Sequence, residues 1–284
     1  MNQITKQPEG NQKETVGSLY KLRDWIDFDE LHWKWLSSNP NAISLLEQNL
    51  DKIVWYYLSS NPNAIHILEQ NPDKIDWFSL SKNPNAIHIL EKNPDKIKIN
   101  WAYLSMNPNA IHLLENNIDK INWNTLCYNP NAIDLLEKNL DKIHWISLSK
   151  NPNAISILEK NPDKIYWFNL SYNPNAIHIL EKNPDKINWV YLSMNPNAIH
   201  ILEKNIDKID WYWISFNPNA IPIIEQNLDK VDWYTLSLNP NIFELDYAFL
   251  KERMDILREE LMMKAWHPSR VEKWLDVGME MEDF

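Results

Sequence analysis

The sequence predicts an all-α fold, an α-solenoid of about ten 22-residue helical-hairpin repeats with N- and C-terminal caps. Three observations predict it. The string Asn-Pro-Asn-Ala-Ile starts at positions 39, 61, 83, 107, 129, 151, 173, 195 and 217, and a degraded copy, Asn-Pro-Asn-Ile, starts at 239. Tryptophan keeps the same clock, from Trp33, Trp55 and Trp77 through Trp211 and Trp233, in steps of 22 with a single step of 24. The chain holds 15 Trp and 17 Pro against 3 Gly and 1 Cys, which excludes collagen, glycine-rich linkers and a disulfide scaffold. Self-similarity at a fixed short period is the mark of a stacked array.

The elements follow in chain order. Residues 1–19 are polar and unpatterned, which predicts a disordered tail. Residues 20–32 read as an N-terminal cap, since Asp27-Phe28-Asp29-Glu30-Leu31 echoes the inter-helix turn. The array spans 33–243, and each repeat divides in two. In the third repeat Asp76 can cap a short helix that sets Trp77 and Leu80 on one face, with Ile75 and Leu80 as its hydrophobic staple. Asn83 then caps a longer helix of about ten residues. Pro84 takes its first position, where a missing N–H costs nothing. Ala86, Ile87 and Leu90 recur at helical spacing, and Asn93-Pro94-Asp95-Lys96 reads as a turn. The two-residue insertion falls just after that turn, in Ile97-Lys98-Ile99-Asn100, where a loop tolerates it. Residues 244–284 read as a C-terminal helical cap. A strong helix there carries Leu245, Phe249, Met254, Leu257 and Leu261, His267-Pro268 breaks it, and a short helix runs on toward Gly278. Pro222 falls inside the longer helix of the ninth repeat and predicts a distortion there.

Two rival architectures fit less well. A leucine-rich-repeat-like α/β solenoid shares the period, and Ile75, Phe78, Leu80 and Asn83 match its register. It would bury the Phe78 position, which elsewhere holds Lys34 and Asn124, and the insertion would split a strand. A single amphipathic helix per repeat, as in Pro-punctuated apolipoproteins, is interrupted by the Asn-Pro-Asp turn.

Composition also bounds function. Lys plus Arg is 28 and Asp plus Glu is 39, a net charge of −11, which disfavours nucleic acid as partner. No signal peptide and no transmembrane run appears, so no membrane is expected, and the single thiol suits an intracellular setting. No nucleophile–base pair, metal cluster or nucleotide loop is visible, so the reading is non-enzymatic, with no cofactor and no metal.

Positions that vary while the frame stays constant are the candidates for binding. Three slots vary: the two residues after each Trp and the one before each Asn-Pro. Their aromatic occupants give the expected partner site: Trp35, Tyr56, Tyr57, Phe78, Tyr103, Tyr128, Phe168, Tyr172, Tyr191, Tyr212, Trp213, Phe216 and Tyr234. The Trp ladder reads as glue between hairpins rather than as stacking platforms. The His ladder (His66, His88, His112, His178 and His200) reads as an exposed helix face. Its rungs stand too far apart for one zinc ion. The Glu69 and Asp73-Lys74 ladders read as a solvated, charge-balanced face, and Cys127, in a slot that otherwise holds Ser, as a small packed residue.

The Asn-Pro-Asn-Ala-Ile and Asn-Pro-Asp-Lys-Ile strings with their Trp resemble tandem-repeat proteins of giant DNA viruses of amoebae. The tail resembles a C-terminal segment of such proteins too: Arg258-Glu259-Glu260-Leu261, Ala265-Trp266-His267-Pro268-Ser269-Arg270, then Trp274-Leu275 and Gly278. The resemblance implies a viral origin and brings over no catalytic residue. The expected function is a repeat scaffold that binds a protein partner along an extended surface, a viral factor acting on host proteins in the host cytoplasm. The alternatives are a structural virion or assembly component and, third, a single-stranded RNA binder, for which the slots are too apolar and irregular.

Overall fold

In a computed structural model the described residues are 20–92, 99–267, 269–270 and 272–273. The expected disordered tail, the Asn93–Lys96 turn and the insertion at Ile97-Lys98 lie outside them, and of the short helix toward Gly278 only 269–270 and 272–273 are described, as helix. The chain divides into two bodies. One is the array, Arg23–Phe243, and the other comprises, among the described residues, Tyr20–Leu22 and those from Glu244 on.

Among the described residues the array is built from helical turns up to the strand Phe243–Leu245, as the repeat predicts. Each repeat opens with a short α-helix, such as Trp77–Leu80, whose N-cap Asp76 accepts from the Ser79 N–H at 2.8 Å. Ile75 and Leu80 are both buried, as the staple requires. The longer helix differs from the single ten-residue helix expected. Pro84–Ala86 forms a 3₁₀ turn and Ile87–Lys92 the α-helix proper. The cause is local. Asn83 caps only the Asn85 N–H, at 3.0 Å, and Ala86 is fully buried and donates back just three residues, to the Asn83 carbonyl. The Asn-Pro-Asp-Lys turn is a second 3₁₀ element, Pro72–Lys74 in the repeat before. The Asn that opens it has a role the sequence did not announce. Asn71 Nδ2 donates to the Ile67 carbonyl at 2.9 Å and so satisfies an orphan acceptor at the helix end.

This break in the helix also corrects the expectation at Pro222. Because the α-helix Ile221–Glu225 starts afresh after the 3₁₀ turn Pro218–Ala220, Pro222 sits in its first turn, where a missing N–H is tolerated. The ninth repeat keeps the common length and its bonds to both neighbours.

The repeats are joined by one bond set. The first Asn of each Asn-Pro-Asn is buried completely. In the third repeat Asn83 Nδ2 donates to the Ser59 carbonyl at 3.1 Å and the Asn61 carbonyl at 2.8 Å. Asn85 Nδ2 donates to the Pro62 carbonyl at 2.9 Å, and the Asp76 N–H donates to Ser59 Oγ at 3.0 Å. The set recurs at every joint. Cys127 takes the serine's part once, accepting from the His144 N–H at 3.3 Å, so it is indeed a small packed residue.

The array does not end as an open solenoid would. Asn39 of the first repeat donates to the carbonyls of Ser237 and Asn239 of the tenth, at 3.1 and 3.0 Å. Asn41 donates to the Pro240 carbonyl at 2.9 Å, and the His32 N–H to Ser237 Oγ at 3.0 Å. These are the same four bonds. The circuit of asparagines therefore closes on itself, and the array is a ring rather than the elongated stack the repeat suggested. The tenth repeat lacks its longer helix, and the segment Arg23–Ile26 stands in for it. The Arg23 N–H donates to the Ile242 carbonyl, and Arg23 Nε donates to the Asn241 carbonyl at 2.8 Å. The expected cap segment Asp27–Leu31 forms the 3₁₀ turn Phe28–Glu30, with Asp27 as N-cap.

Two short strands, β1 (Tyr20–Leu22) and β2 (Phe243–Leu245, which starts on the last residue of the array), pair in one sheet, with Lys21 and Glu244 ion-paired at 3.4 Å. The helix of the second body runs Tyr247–Ala265, capped by Asp246 on the N–H groups of Ala248 and Phe249. Leu245, expected in that helix, belongs to β2 instead.

Candidate partner-binding face

The three variable slots lie on the short helices and the bend that follows them. Their exposure is graded. The first slot points to solvent: Tyr56, Phe78, Phe168 and Tyr212 are 44, 42, 51 and 42 % exposed. In the second slot Trp35, Tyr57, Tyr103, Tyr191 and Trp213 are half-buried, while Ser79, Ser147, Asn169 and Thr235 are buried. In the third slot Tyr128, Tyr172 and Phe216 are half-buried, and Tyr234, though in the first slot, is half-buried against the first repeat.

The structure brings these residues together across repeats. Phe78 meets Tyr103 of the next repeat at 4.5 Å between ring centroids, and Phe168 meets Tyr191 at 4.2 Å. Tyr212 and Trp213 pack edge-on within one helix at 4.9 Å, as do Tyr56 and Tyr57 at 5.1 Å. Trp35 lies between Tyr57 and Tyr234, at 5.5 and 5.4 Å, and so bridges the second, first and tenth repeats. Side chains two repeats apart also meet here. The Lys150 ammonium stands 4.6 Å from the Tyr191 ring centre and 5.3 Å from that of Tyr172. On a closed ring the side where equivalent residues crowd is the inner one, so the aromatic slots line the inner circumference.

Two lysines tune this face. Lys34 Nζ donates to the Tyr234 hydroxyl at 3.0 Å and stands over the rings of Trp35, Tyr57 and Tyr234. The Tyr234 hydroxyl, then that of Tyr57, pushes the Lys34 ammonium above the usual lysine range, and Lys34 in turn holds Tyr234 below the usual phenol range. Burial pushes Lys150 below the usual lysine range, and burial raises the Tyr172 and Tyr103 hydroxyls.

The other ladders take structural places. The repeat tryptophans are half-buried, and lysines of the following turn cover their rings: Lys142 stands 4.4 Å over Trp123 and Lys186 4.4 Å over Trp167. The Asp-Lys ladder is thus more than a solvated face, since most of its lysines pack on the tryptophans, although Lys164 pairs with Asp163 instead. Each ladder histidine is exposed, and its Nε2 lies against the Glu of the preceding repeat, from 2.6 Å for His66 and Glu47 to 3.1 Å for His178 and Glu159. The sequence holds that pairing at a spacing of 19 residues, or 21 across the insertion for His112 and Glu91, and it becomes legible only once the stacking order is known. Among the described residues no cluster of His, Cys, Asp or Glu could hold a metal ion, and no helix is long and apolar enough to cross a membrane.

Compared with family models, curated proteins and solved structures, the chain matches none.

Proposed function

We propose that the chain is a non-enzymatic scaffold that binds a protein partner on the aromatic inner face of the ring. One observation supports this most. The frame residues repeat almost without change, while the exposed first slot changes from repeat to repeat and favours Tyr and Phe. Packing explains a constant residue. It does not explain an aromatic at 51 % exposure, as at Phe168. Tyr and Trp held on a rigid support suit the hot-spot role. The extended surface of the earlier expectation becomes a circumference. A viral factor acting on host proteins in the host cytoplasm is the setting that the repeat string and the tail support by their resemblance.

The test compares three tagged full-length chains in infected-cell extracts: wild type, a face variant (Phe78→Ser, Phe168→Ser and Tyr212→Ser together) and an outer control (His178→Ala). Circular dichroism checks that all three fold. A host protein retained by wild type and the control, and lost by the face variant, supports the reading. Capture of viral structural proteins alone supports a virion component instead. Equal retention by all three removes the face from the function.

A further inference from the structure

We infer that the partner presents an acidic, apolar peptide segment to the inner face. This rests on the reading of that face as a protein-binding surface and adds the chemistry of what it accepts.

The observation is an exclusion. The chain carries 39 Asp and Glu, yet none stands in any of the three variable slots of any repeat. The charged residues that do stand there are Lys34, Lys82 and Lys150. Elsewhere on the array carboxylates recur beside Lys, against His or, as Asp76, Asp210 and Asp232, spent on capping the short helices. Among the described residues none of the three lysines is ion-paired with a carboxylate. Lys34 and Lys150 lean on aromatic rings and hydroxyls instead. Lys150 is half-buried there, so it loses hydration without gaining a counter-ion. A partner carboxylate would complete such a site, because a charge-assisted bond to a partly desolvated ammonium is stronger than one in water. The net charge of −11 does not prevent it, since exposed charges beyond about 8 Å are screened at physiological salt.

Between the lysines the surface is apolar and aromatic, with Ile146, Phe168 and Val190 exposed in the first slot. That favours a peptide over the other anionic polymer, single-stranded nucleic acid. Nucleic acid would require a basic track along the backbone and a stacking ring for successive bases. Three lysines and these aliphatic interruptions supply neither.

The test is selection of random displayed peptides on the full-length wild-type chain, with the best peptide then titrated by intrinsic Trp and Tyr fluorescence. Enriched peptides are expected to combine Asp or Glu with apolar residues. Binding of the best one to wild type should weaken with added salt, and in the Lys34→Met, Lys82→Met, Lys150→Met variant it should be roughly tenfold weaker and less salt-dependent. Lys150→Arg, which keeps the charge, should retain most of the affinity and guards against a folding defect. Neutral or basic enriched peptides overturn the inference and leave the protein-binding reading standing. So does unchanged affinity in the triple variant. Displacement by an oligouridine of similar length overturns it in favour of nucleic acid. If no peptide prefers wild type over the face variant of the preceding section, the protein-binding reading itself fails.

Discussion

The joint that closes the ring, between the tenth and first repeats, and an ordinary joint, between the second and third, are built from the same four hydrogen bonds and differ in what surrounds them. Asn39 and Asn83 each donate twice to carbonyls of the repeat behind, at 2.8 to 3.1 Å. At the ordinary joint Lys74 covers Trp55 at 4.8 Å and His88 meets Glu69 at 3.1 Å. Near the seam Trp25 covers Trp233, with ring centroids 6.4 Å apart, and its Nε1 donates to Glu225 at 2.7 Å. Arg23 pairs with the same carboxylate at 3.4 Å. Three of the four shared bonds run from asparagine side chains to main-chain carbonyls, and the fourth runs from a main-chain N–H to the frame serine, so the set depends only on residues that every repeat supplies. Any repeat can seat on any other through them. The seam is distinguished only by the residues packed around it, and these come from the N-terminal segment.

The asparagines give the most severe way to break the comparison. Asn151→Ala leaves the buried carbonyls of Cys127 and Asn129 without their donor and removes a helix cap. The expected loss is about 3 kcal/mol. Asn39→Ala at the seam should cost as much in chemical denaturation. A much smaller loss there would mean that the ring stands open in solution. Next comes Trp25→Ala, with an expected cost of about 2 kcal/mol. Its effect should be local, with faster amide exchange in the first and tenth repeats and no change near Asn129. Lys142→Met, which removes the cation over Trp123 at 4.4 Å, should cost about 0.5 kcal/mol in thermal melts.

Cys127 sharpens the comparison through pH. Burial raises its pKa, so folding keeps the thiol protonated. Its contribution is fully present below the unfolded-state thiol pKa and is lost as pH rises through the folded value. Stability should therefore fall on the alkaline side of the ordinary thiol range, and Cys127→Ser should abolish that part of the fall. Denaturant titrations at neutral and alkaline pH would show it. The smallest effect is expected for His178→Ala. Its exposed pair with Glu159 is worth about 0.5 kcal/mol or less, and melts with and without added salt would test that.

The repeat, its two helical segments, the capping roles of Asp76 and Asn83 and the exposure of the first slot were legible from spacing and residue type. These are local properties. Nothing local could show that Asn83 also bonds the repeat before it, because a cap and a cross-strut use different atoms of one amide. Oδ1 accepts from Asn85, while Nδ2 donates to Ser59 and Asn61. A conserved Ser would also have capped the helix. The preference for Asn in all ten repeats was the available signal that the amide nitrogen had work of its own. Closure was less legible still, since curvature accumulates from small rotations at each joint. Its one trace was the degraded tenth copy, where Ile242 and Phe243 replace Ala and Ile and the helix gives way to β2. The aromatic slots were found, but their grading was not. Tyr56 and Tyr57 are adjacent and alike in sequence, and only the packing of the short helix against its neighbours makes the second half-buried and the first exposed.

A closed circuit of asparagines also limits how such a gene can change. Near-identical tandem copies invite unequal recombination, and in an open array the product is merely a longer or shorter rod. Here each joint turns the chain by a tenth of a revolution. Deleting one copy, for example residues 107–128, would oblige every remaining joint to turn further before Asn39 could reach Asn239. Copy number is thereby tied to geometry, and change is left to the positions that face the centre.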